Sequence, residues 1–257
     1  MLALSLQLSW SFITIMKNLQ ASTPRIKLAT AAVMAASVFA LIAGCANTDT
    51  RPEVTHDGLE AVTGTKFGDV YAKPGVDLSS YSKFTIDTCD VAFKKNWQRD
   101  QNSSRVSATR RVSDSDVQGI RDALSALCLA EFVAALQAAP AYPMVTFDAA
   151  DTQTLVLTPS IINLNISAPD VKSPGMSRSY TTNNTGEMTL YLELSDASTG
   201  EILYRIIDRR RSRQSFGLQW TNSVTNTADA KRILEQWSAQ LREGVDHIAG
   251  QAGMSGN

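Results

Sequence analysis

The side chains that could do chemistry in this sequence are few, and the three cysteines, Cys45, Cys89 and Cys128, come first. A thiol can be acylated, oxidised to a disulfide, bound to a metal or used as a nucleophile. Metal binding and catalysis commonly need histidine as well, and the chain has only His56 and His247. No Cys-x-x-Cys, His-x-x-x-His or Gly-x-Ser-x-Gly pattern occurs. The sequence therefore predicts no metal site and no activated nucleophile.

Cys45 ends a stretch with the design of a secretory signal. The basic residues of this stretch are Lys17, Arg25 and Lys27. An apolar run over residues 28–43 follows, and small residues then precede the cysteine. The sequence Ile42-Ala43-Gly44-Cys45 resembles the lipobox of bacterial lipoproteins. By that resemblance, Cys45 receives a diacylglyceryl group, the chain is cut before it, and the new amino group is acylated, usually with palmitate.

Two alternatives are a membrane-spanning anchor and a plain secretory signal cut elsewhere. The apolar run of roughly sixteen residues is shorter than the roughly 20 that a spanning helix needs. We therefore expect residues 1–44 to be a lipoprotein signal peptide, with Met16 as the initiator and residues 1–15 as an upstream extension. Ala46 rather than aspartate follows the cysteine. By analogy with enteric lipoproteins, this favours the periplasmic side of the outer membrane.

Cys89 and Cys128 are the cysteines left after lipidation. In an oxidising periplasm, an even pair suggests a disulfide. Cys128 lies on an apolar helix stripe and Cys89 lies in a strand, where free cysteines commonly act as small core residues. Both interpretations stay open, because the sequence does not give the distance between the two Cα atoms.

The strongest charge feature is the run Asp-Arg-Arg-Arg-Ser-Arg at 208–213, with Arg205 upstream. Strand alternation would put Arg205, Arg209, Arg211 and Arg213 on one face, where they could bind an anionic envelope component. The alternative is a solvated face that guards a sheet edge. Together with polar-loop residues, the candidate binding surface comprises Trp97, Arg99, Arg178, Arg209, Arg211, Arg213 and Trp220, although both tryptophans could instead pack against the core.

Charge is unevenly distributed along the chain. Of the 24 basic residues, three precede Cys45, whereas all 25 acidic residues follow it. The part after residue 44 thus has 21 basic and 25 acidic residues, a net charge of −4. Such a balance argues against a nucleic-acid partner.

The chain after the signal divides into three parts. Residues 45–80 have no sustained period and are predicted to be the lipidated cysteine and a flexible tether. Residues 81–250 are predicted to be a single periplasmic domain, and residues 251–257 a frayed tail. Within the domain, Pro159 suggests that the extended run 154–167 is bent or at an edge. The last helix is predicted to have its N-terminal cap at Asn226 or Thr227.

Apolar periodicity predicts the element order β-α-β-β-β-α. Alternation is strictest over 188–194, which predicts a hairpin with the strand after the Asp-Ala-Ser-Thr-Gly turn. We expect an α/β fold of the α+β kind: a two-layer sandwich. Its mixed, mainly antiparallel sheet would have about four to five strands, with two helices on one face.

Several segments in this order, Tyr-Ser-Lys-Phe-Thr-Ile-Asp, Asn-Trp-Gln-Arg-Asp-Gln-Asn and the hairpin with its arginines, resemble an uncharacterised family. It is the family of proteobacterial lipoproteins catalogued as domain of unknown function 3313. The resemblance spans roughly residues 76–245. It implies a lipid-anchored envelope protein and supplies no catalytic residues.

The resulting functional hypothesis is a non-enzymatic binding or structural module of the cell envelope. Its expected partners are the membrane, through the lipid, and an envelope protein or anionic envelope component. No cofactor is expected besides the covalent lipid on Cys45. The alternative is an envelope hydrolase that uses two carboxylates, for which a buried acidic residue in a cleft would be the sign.

Overall fold

The predicted hairpin forms the centre of the sheet. Leu192 of one strand lies opposite Ile206 of the other. The computed structural model describes residues 51–103, 111–170, 179–181, 184–213 and 219–254. The strands are β1 (Glu60–Val62), β2 (Asp69–Ala72), β3 (Lys83–Ile86), β4 (Asp90–Phe93), β5 (Thr154–Ile166), β6 (Ser179–Thr181), β7 (Gly186–Asp196), β8 (Ile202–Arg211) and β9 (Gln219–Thr221). The α-helices are α1 (Trp97–Ser103), α2 (Asp114–Gln137) and α3 (Ser223–Met254), and a 3-10 turn spans Phe147–Ala149.

Seven strands form the main sheet, in the order β1-β2-β8-β7-β5-β3, with β4 also on β5. Only β3 and β4 run parallel to their neighbour β5, so the sheet is mixed and mainly antiparallel. Helices α2 and α3 share one apolar core with it. The predicted α+β class is therefore confirmed. The predicted strand count is wrong, because the sheet has seven strands and β6 and β9 form a separate pair.

Part of the difference arises in the segment predicted as a tether. Strands β1 and β2 lie within residues 45–80, and β2 pairs with β8, Val70 opposite Ile206. Val70 and Tyr71 are buried. The tether prediction is therefore wrong for the described residues 51–80. Strands of three and four residues show too little periodicity to be recognised. Here β2 pairs with distant β8, and β1 pairs with β2.

The other differences come from local geometry. Cys89, which was predicted to lie in a strand, instead lies between two strands, β3 and β4, which follow one another along β5. Pro159 of β5 is not at an edge, because β5 pairs with β7 on its other side. Pro159 has no partner in β3 or β4. The pairing of β5 with β3 ends at Leu157, and its pairing with β4 begins at Ser160. The missing N–H thus lies beside a gap in the ladder.

Each long helix has a side-chain cap at its start. Ser113 and Asp116 form a capping box at α2, as expected for a helix that begins at Asp114. At α3, Asn222 Oδ1 accepts a hydrogen bond from Thr225 N at 2.9 Å. The helix therefore begins at Ser223, before the predicted Asn226 or Thr227, and its end at Met254 includes part of the predicted tail. In the described residues, no helix is long and apolar enough to cross a membrane.

Cys89 and Cys128 are joined by a disulfide, with an S–S distance of 2.04 Å. It connects the segment between β3 and β4 to the middle of α2. Both cysteines are buried in the main core.

Candidate functional site

A cavity of about 510 Å³ lies between α2, α3 and the end of the sheet where β5 ends and β7 begins. Its apolar wall consists of Ile120, Leu124, Leu127, Leu164, Ile166, Met188, Ala230 and Ile233. Volumes of this size, with mostly apolar walls, are typical of small-molecule sites. The cavity is therefore the candidate functional site among the described residues.

Two backbone features shape the sheet side of the cavity. Asn163 has a φ of 53°, and the pairing of β5 with β7 shifts register between Ile162 and Asn165. Such a bulge redirects the side chains that follow it. At Gly186, an added Cβ would lie 2.3 Å from the Asn165 carbonyl oxygen. The two strands therefore approach so closely here that only glycine fits.

The charged residues that line the cavity are all acidic: Asp116, Asp170, Glu187 and Asp229. Each has a structural partner. Asp170 Oδ2 accepts from Ser223 N at 3.0 Å, and Asp229 Oδ2 accepts from Thr185 Oγ1 at 2.6 Å. Asp116 belongs to the α2 capping box. Asp229 Oδ1 also accepts from Arg232 Nη1. The carboxylates thus hold the surrounding elements together.

Glu187 has two arginine partners: it accepts hydrogen bonds from Arg209 at 2.7 Å and from Arg211 at 3.0 Å. Burial acts to raise the pKa of Glu187, but the two arginines outweigh it and lower the pKa below its ordinary value. The sign expected of a general acid, a raised carboxyl pKa, is therefore not found at Glu187.

Asn226 supplies a polar group of a different kind. Its Nδ2 donates to the Ala168 carbonyl oxygen at 3.2 Å. Its Oδ1 is buried and accepts no hydrogen bond. A buried acceptor without a donor is unfavourable by roughly 1–3 kcal/mol. Asn226 lines the cavity, but Oδ1 itself is buried and does not face the open space.

The arginine face is smaller than the alternation predicted. Arg209 and Arg211 lie on one face of β8, with side chains 65% and 55% exposed, and Arg213 beyond the strand is exposed. Arg205 is on that face but is buried, so its prediction as an exposed member was wrong. Its guanidinium is enclosed by Asp57 and Glu193.

The carboxylate partners of Arg205 come from two elements. Arg205 Nη2 donates to Asp57 Oδ2 at 2.6 Å, and Arg205 Nε donates to Glu193 Oε1 at 2.8 Å. Tyr191 donates to the same Glu193 oxygen at 2.8 Å. Burial and this hydrogen bond raise the pKa of Tyr191 to about 12. The charge of Arg205 is thus already paired with two carboxylates of the protein.

Of the remaining predicted surface residues, Trp97 and Arg99 lie in the part of the chain whose side chains the structure describes. Trp97 is buried, stacks on Phe93 and donates from Nε1 to the Ile166 carbonyl oxygen at 3.0 Å, so it packs rather than forming a binding surface. Arg99 is exposed and pairs with neighbouring Asp100. The backbone of Trp220 pairs with Tyr180 in the small sheet, and its side chain lies outside the described part of the chain. Arg178 and Cys45 also lie outside the described residues.

Sequence patterns did not reveal the cavity. Ile120 and Leu124 lie on the same apolar helix stripe as Cys128. Such a stripe indicates that a face is buried, but not that a space lies beside it. Asn226 was recognised only as a possible cap. No group of three metal-ligating side chains occurs in the described ranges, 51–254 with their gaps.

Comparisons with known proteins concern the whole fold. A family model described as a protein of unknown function (DUF3313) matches residues 52–241. No curated protein matches the chain.

Several solved structures are similar. The PelC dodecamer from Paraburkholderia phytofirmans is 12% identical, with a TM-score of 0.33 over 67% of this chain and 98% of that one. A Xanthomonas campestris protein of family DUF330 is 16% identical, with a TM-score of 0.36 over 72% and 93%. A homolog of the neuraminyllactose-binding hemagglutinin from Helicobacter pylori is 8% identical, with a TM-score of 0.28 over 70% and 92%. Similarity this low gives no information about function.

Proposed function

The chain belongs to the DUF3313 family of proteins of unknown function, and we propose that it is a lipid-anchored envelope protein that binds a small ligand. The family match over residues 52–241 confirms the resemblance predicted from the sequence. The proposed place of action is the periplasmic side of the outer membrane, with Cys45 as the lipidated residue.

The observation that supports binding is the cavity between α2 and α3. Its volume of about 510 Å³ lies within the range of roughly 300–1,000 Å³ that small-molecule sites occupy. The wall combines apolar side chains with a few polar groups, which is the arrangement expected of a site that orients its ligand.

We propose binding rather than hydrolysis. A carboxylate pair would need one acid with a raised pKa and one free base. Asp170, Glu187 and Asp229 instead accept hydrogen bonds from Ser223, from Arg209 and Arg211, and from Thr185. These bonds support a structural role for the carboxylates.

The proposed anchor limits how far the domain can lie from its membrane. Cys45 is six residues before Arg51, the first described residue. A fully extended chain of that length spans at most about 22 Å. A lipid on Cys45 would therefore hold the domain close to the bilayer, and the exposed Arg209, Arg211 and Arg213 are the proposed contact for an anionic envelope component.

The anchor is tested by comparing the wild-type protein with Cys45→Ala in palmitate labelling, intact mass and membrane fractionation. We expect the wild type to be labelled, cut before Cys45 and recovered with outer membranes, and the variant to be unlabelled and to retain the mass of its uncut signal. Equal palmitate labelling of the two proteins would contradict lipid anchoring at this residue.

The ligand site is tested with a variant that fills the cavity. Gly119 lines it, and an added Cβ there meets no atom within 4 Å, so Gly119→Trp introduces bulk without an initial clash. Gly244 of α3 has the same open environment outside the cavity, which makes Gly244→Trp the matched control.

Each protein is purified from its own envelope and measured by native mass spectrometry. We expect a bound small molecule on the wild type and on Gly244→Trp, and loss of that mass on Gly119→Trp. A bound mass that Gly119→Trp retains would place the ligand elsewhere, and no bound mass on any protein would count against the proposed function.

A further inference from the structure

The described chain enters the main sheet at a definite end. Val54 forms an antiparallel bridge with Glu60 of β1. Followed back from Val54 to Arg51, the chain therefore runs towards Val62, the last residue of β1. Arg51 Nη2 donates there to the carbonyl oxygens of Val62 and Val70, each at 2.8 Å. The first described residue is thus fixed to this end of the sheet.

The arginine face lies at the same end. Arg51 Nη1 is 3.6 Å from an oxygen of Asp69, and Asp69 lies opposite Ile207 in the last pair between β2 and β8. Strand β8 continues beyond that pair, in the direction in which the chain leaves the sheet. Arg209 and Arg211 are two and four residues past Ile207, which is about 7 and 13 Å further along. The β7–β8 turn is at the opposite end.

We propose that the domain lies on its membrane with the arginine face down. In this orientation, Arg209, Arg211 and Arg213 contact the phosphates of anionic phospholipids, and the β7–β8 turn points away from the bilayer. The inference rests on the proposed lipid anchor and adds the partner and the orientation. The partner is the lipid surface itself rather than a soluble anion or a protein.

The length of the tether favours this orientation over the reverse one. Tyr191 lies opposite Ile207, and Ser198 in the β7–β8 turn is seven residues further along the chain, or roughly 20 Å. The six residues from Cys45 to Arg51 span at most about 22 Å. A domain standing on its turn would need this tether almost fully extended. A domain standing on the arginine face would not.

Charge favours the same orientation. Arg209 and Arg211 share the carboxylate of Glu187, so the three arginines of the face and this one carboxylate have a net charge of +2. Asp208 and Arg210 alternate with these arginines and instead contact α3 on the other side of β8. An anionic lipid surface attracts an exposed basic group of this kind, and each arginine near it strengthens binding by about fivefold.

The end of the sheet with the β7–β8 turn has the opposite sign of charge. Among the described residues, the charged side chains at this end are Lys73, Lys83, Asp77, Asp151, Asp196 and Glu201. Two are basic and four are acidic, a net charge of −2. An anionic bilayer would repel this end.

Energy transfer from a donor dye to acceptor-labelled lipids tests the orientation in the full protein. The donor is attached at Ser167→Cys, just after β5 at the end with the arginine face, or at Ser198→Cys in the β7–β8 turn. Both serines are exposed. Strand β7 separates the two levels by about 33 Å. A lipid on Cys45 and the disulfide between Cys89 and Cys128 leave no native thiol to react.

The protein is purified from membranes with its lipid, checked for palmitate by intact mass, and reconstituted into vesicles. One set of vesicles contains phosphatidylglycerol, and the other contains only phosphatidylcholine. Each labelled protein is also made with Arg209→Glu/Arg211→Glu. The matched control is Lys73→Glu/Lys83→Glu, which reverses two basic residues that also pair with carboxylates.

With phosphatidylglycerol, we expect the donor at Ser167→Cys to be closer to the bilayer than the donor at Ser198→Cys, by up to about 33 Å. This difference should be lost with phosphatidylcholine, at high salt, and in Arg209→Glu/Arg211→Glu, because each removes the attraction between arginine and lipid. Lys73→Glu/Lys83→Glu should retain it.

Equal distances for the two donors, or a closer donor at Ser198→Cys, would overturn the inference and leave the arginine face to a soluble anion or a protein. A difference that persists with phosphatidylcholine or in Arg209→Glu/Arg211→Glu would overturn it as well. In these cases, palmitate on the protein would leave the anchor intact, whereas its absence would contradict both the anchor and the inference. Thermal unfolding identifies a folding defect, and the comparison of the two vesicle types remains decisive if a charge variant does not fold.

Discussion

Arg205 and Asp57 form a two-point ion pair, with Nη1 to Oδ1 at 3.0 Å and Nη2 to Oδ2 at 2.6 Å, although 148 residues separate them. Asp57 precedes β1, whereas Arg205 is in β8. Paired hydrogen bonds of this kind between guanidinium and carboxylate fix orientation as well as distance. The pair therefore ties the start of the described chain to the centre of the sheet.

This ion pair should make stability depend on pH. The hydrogen bonds from Arg205, followed by that from Thr55, lower the pKa of Asp57 below its ordinary value of 3.8. A depressed pKa stabilises the folded state above about pH 4, and that stabilisation is lost as the pH falls further. We expect Asp57→Asn to lower the free energy of unfolding most at about pH 7, and less at about pH 3.

Urea unfolding at these two pH values measures the effect. Asp90→Asn, at an exposed position in β4, is the control and should show a small difference from the wild type at both. A loss for Asp57→Asn that is the same at both pH values would show that the carboxylate charge is not responsible.

The disulfide between Cys89 and Cys128 should stabilise the protein, because it closes a loop across a sequence separation of 39 residues. Loop closure of that length corresponds to roughly 3–4 kcal/mol in the free energy of unfolding. We expect reduction to lower the urea midpoint accordingly. The double variant Cys89→Ala/Cys128→Ala should be insensitive to reductant, and a reductant effect in that variant would have to come from elsewhere.

Asp208 is a buried acceptor between the sheet and α3. Its Oδ2 accepts from Trp237 Nε1 at 2.7 Å, and its Oδ1 accepts from Gly68 N at 3.1 Å. Asp208→Ala leaves both donors without their acceptor, which should cost about 1–3 kcal/mol in the free energy of unfolding. Arg210→Met removes the neighbouring cation on Asp208 and two hydrogen bonds to Gln236 and Gln240, but leaves Trp237 and Gly68 bonded to Asp208, so it should cost less. Equal losses for the two variants would indicate that the arginine, not the indole, is the important partner.

Glu187 should control the charge of the arginine face. Glu187→Gln removes the counter-charge of Arg209 and Arg211. We expect its affinity for phosphatidylglycerol vesicles to exceed that of the wild type by about fivefold, at low salt. Vesicles of phosphatidylcholine and the variant Glu201→Gln, whose partner is Lys73, are the controls. Unchanged binding by Glu187→Gln would argue against an anionic partner at this face.

Gly186 should be intolerant of any side chain. Its φ is 155°, and a Cβ would approach the Asn165 carbonyl oxygen to 2.3 Å. We expect Gly186→Ala to lower the free energy of unfolding by more than about 1 kcal/mol. Gly119→Ala, in an open helical position, should raise it by about 0.5–1 kcal/mol. If both substitutions stabilise the protein, the close approach of β5 and β7 is not as described.

The elements that the sequence predicted well are those with long local periods. Helix α2, predicted from its apolar stripe, begins at Asp114 with Ser113 as its cap, and both the stripe and the cap are properties of nearby residues. The β7–β8 hairpin was predicted for the same reason, from alternation and a turn. Strand β2 was missed because its partner β8 lies more than a hundred residues away along the chain, and β1 pairs only with β2.

The sequence by itself determined the candidate lipidation of Cys45, the acidic balance after it, and the alternation that puts Arg209 and Arg211 on one face. Only the tertiary structure decided that Arg205 is buried, that Trp97 packs, and that a cavity lies beside Asn226. Local patterns report which face of an element is apolar. The space between α2, α3 and the end of the sheet depends on long-range pairing, on the bulge at Asn163 and on the close approach at Gly186, which no local pattern encodes.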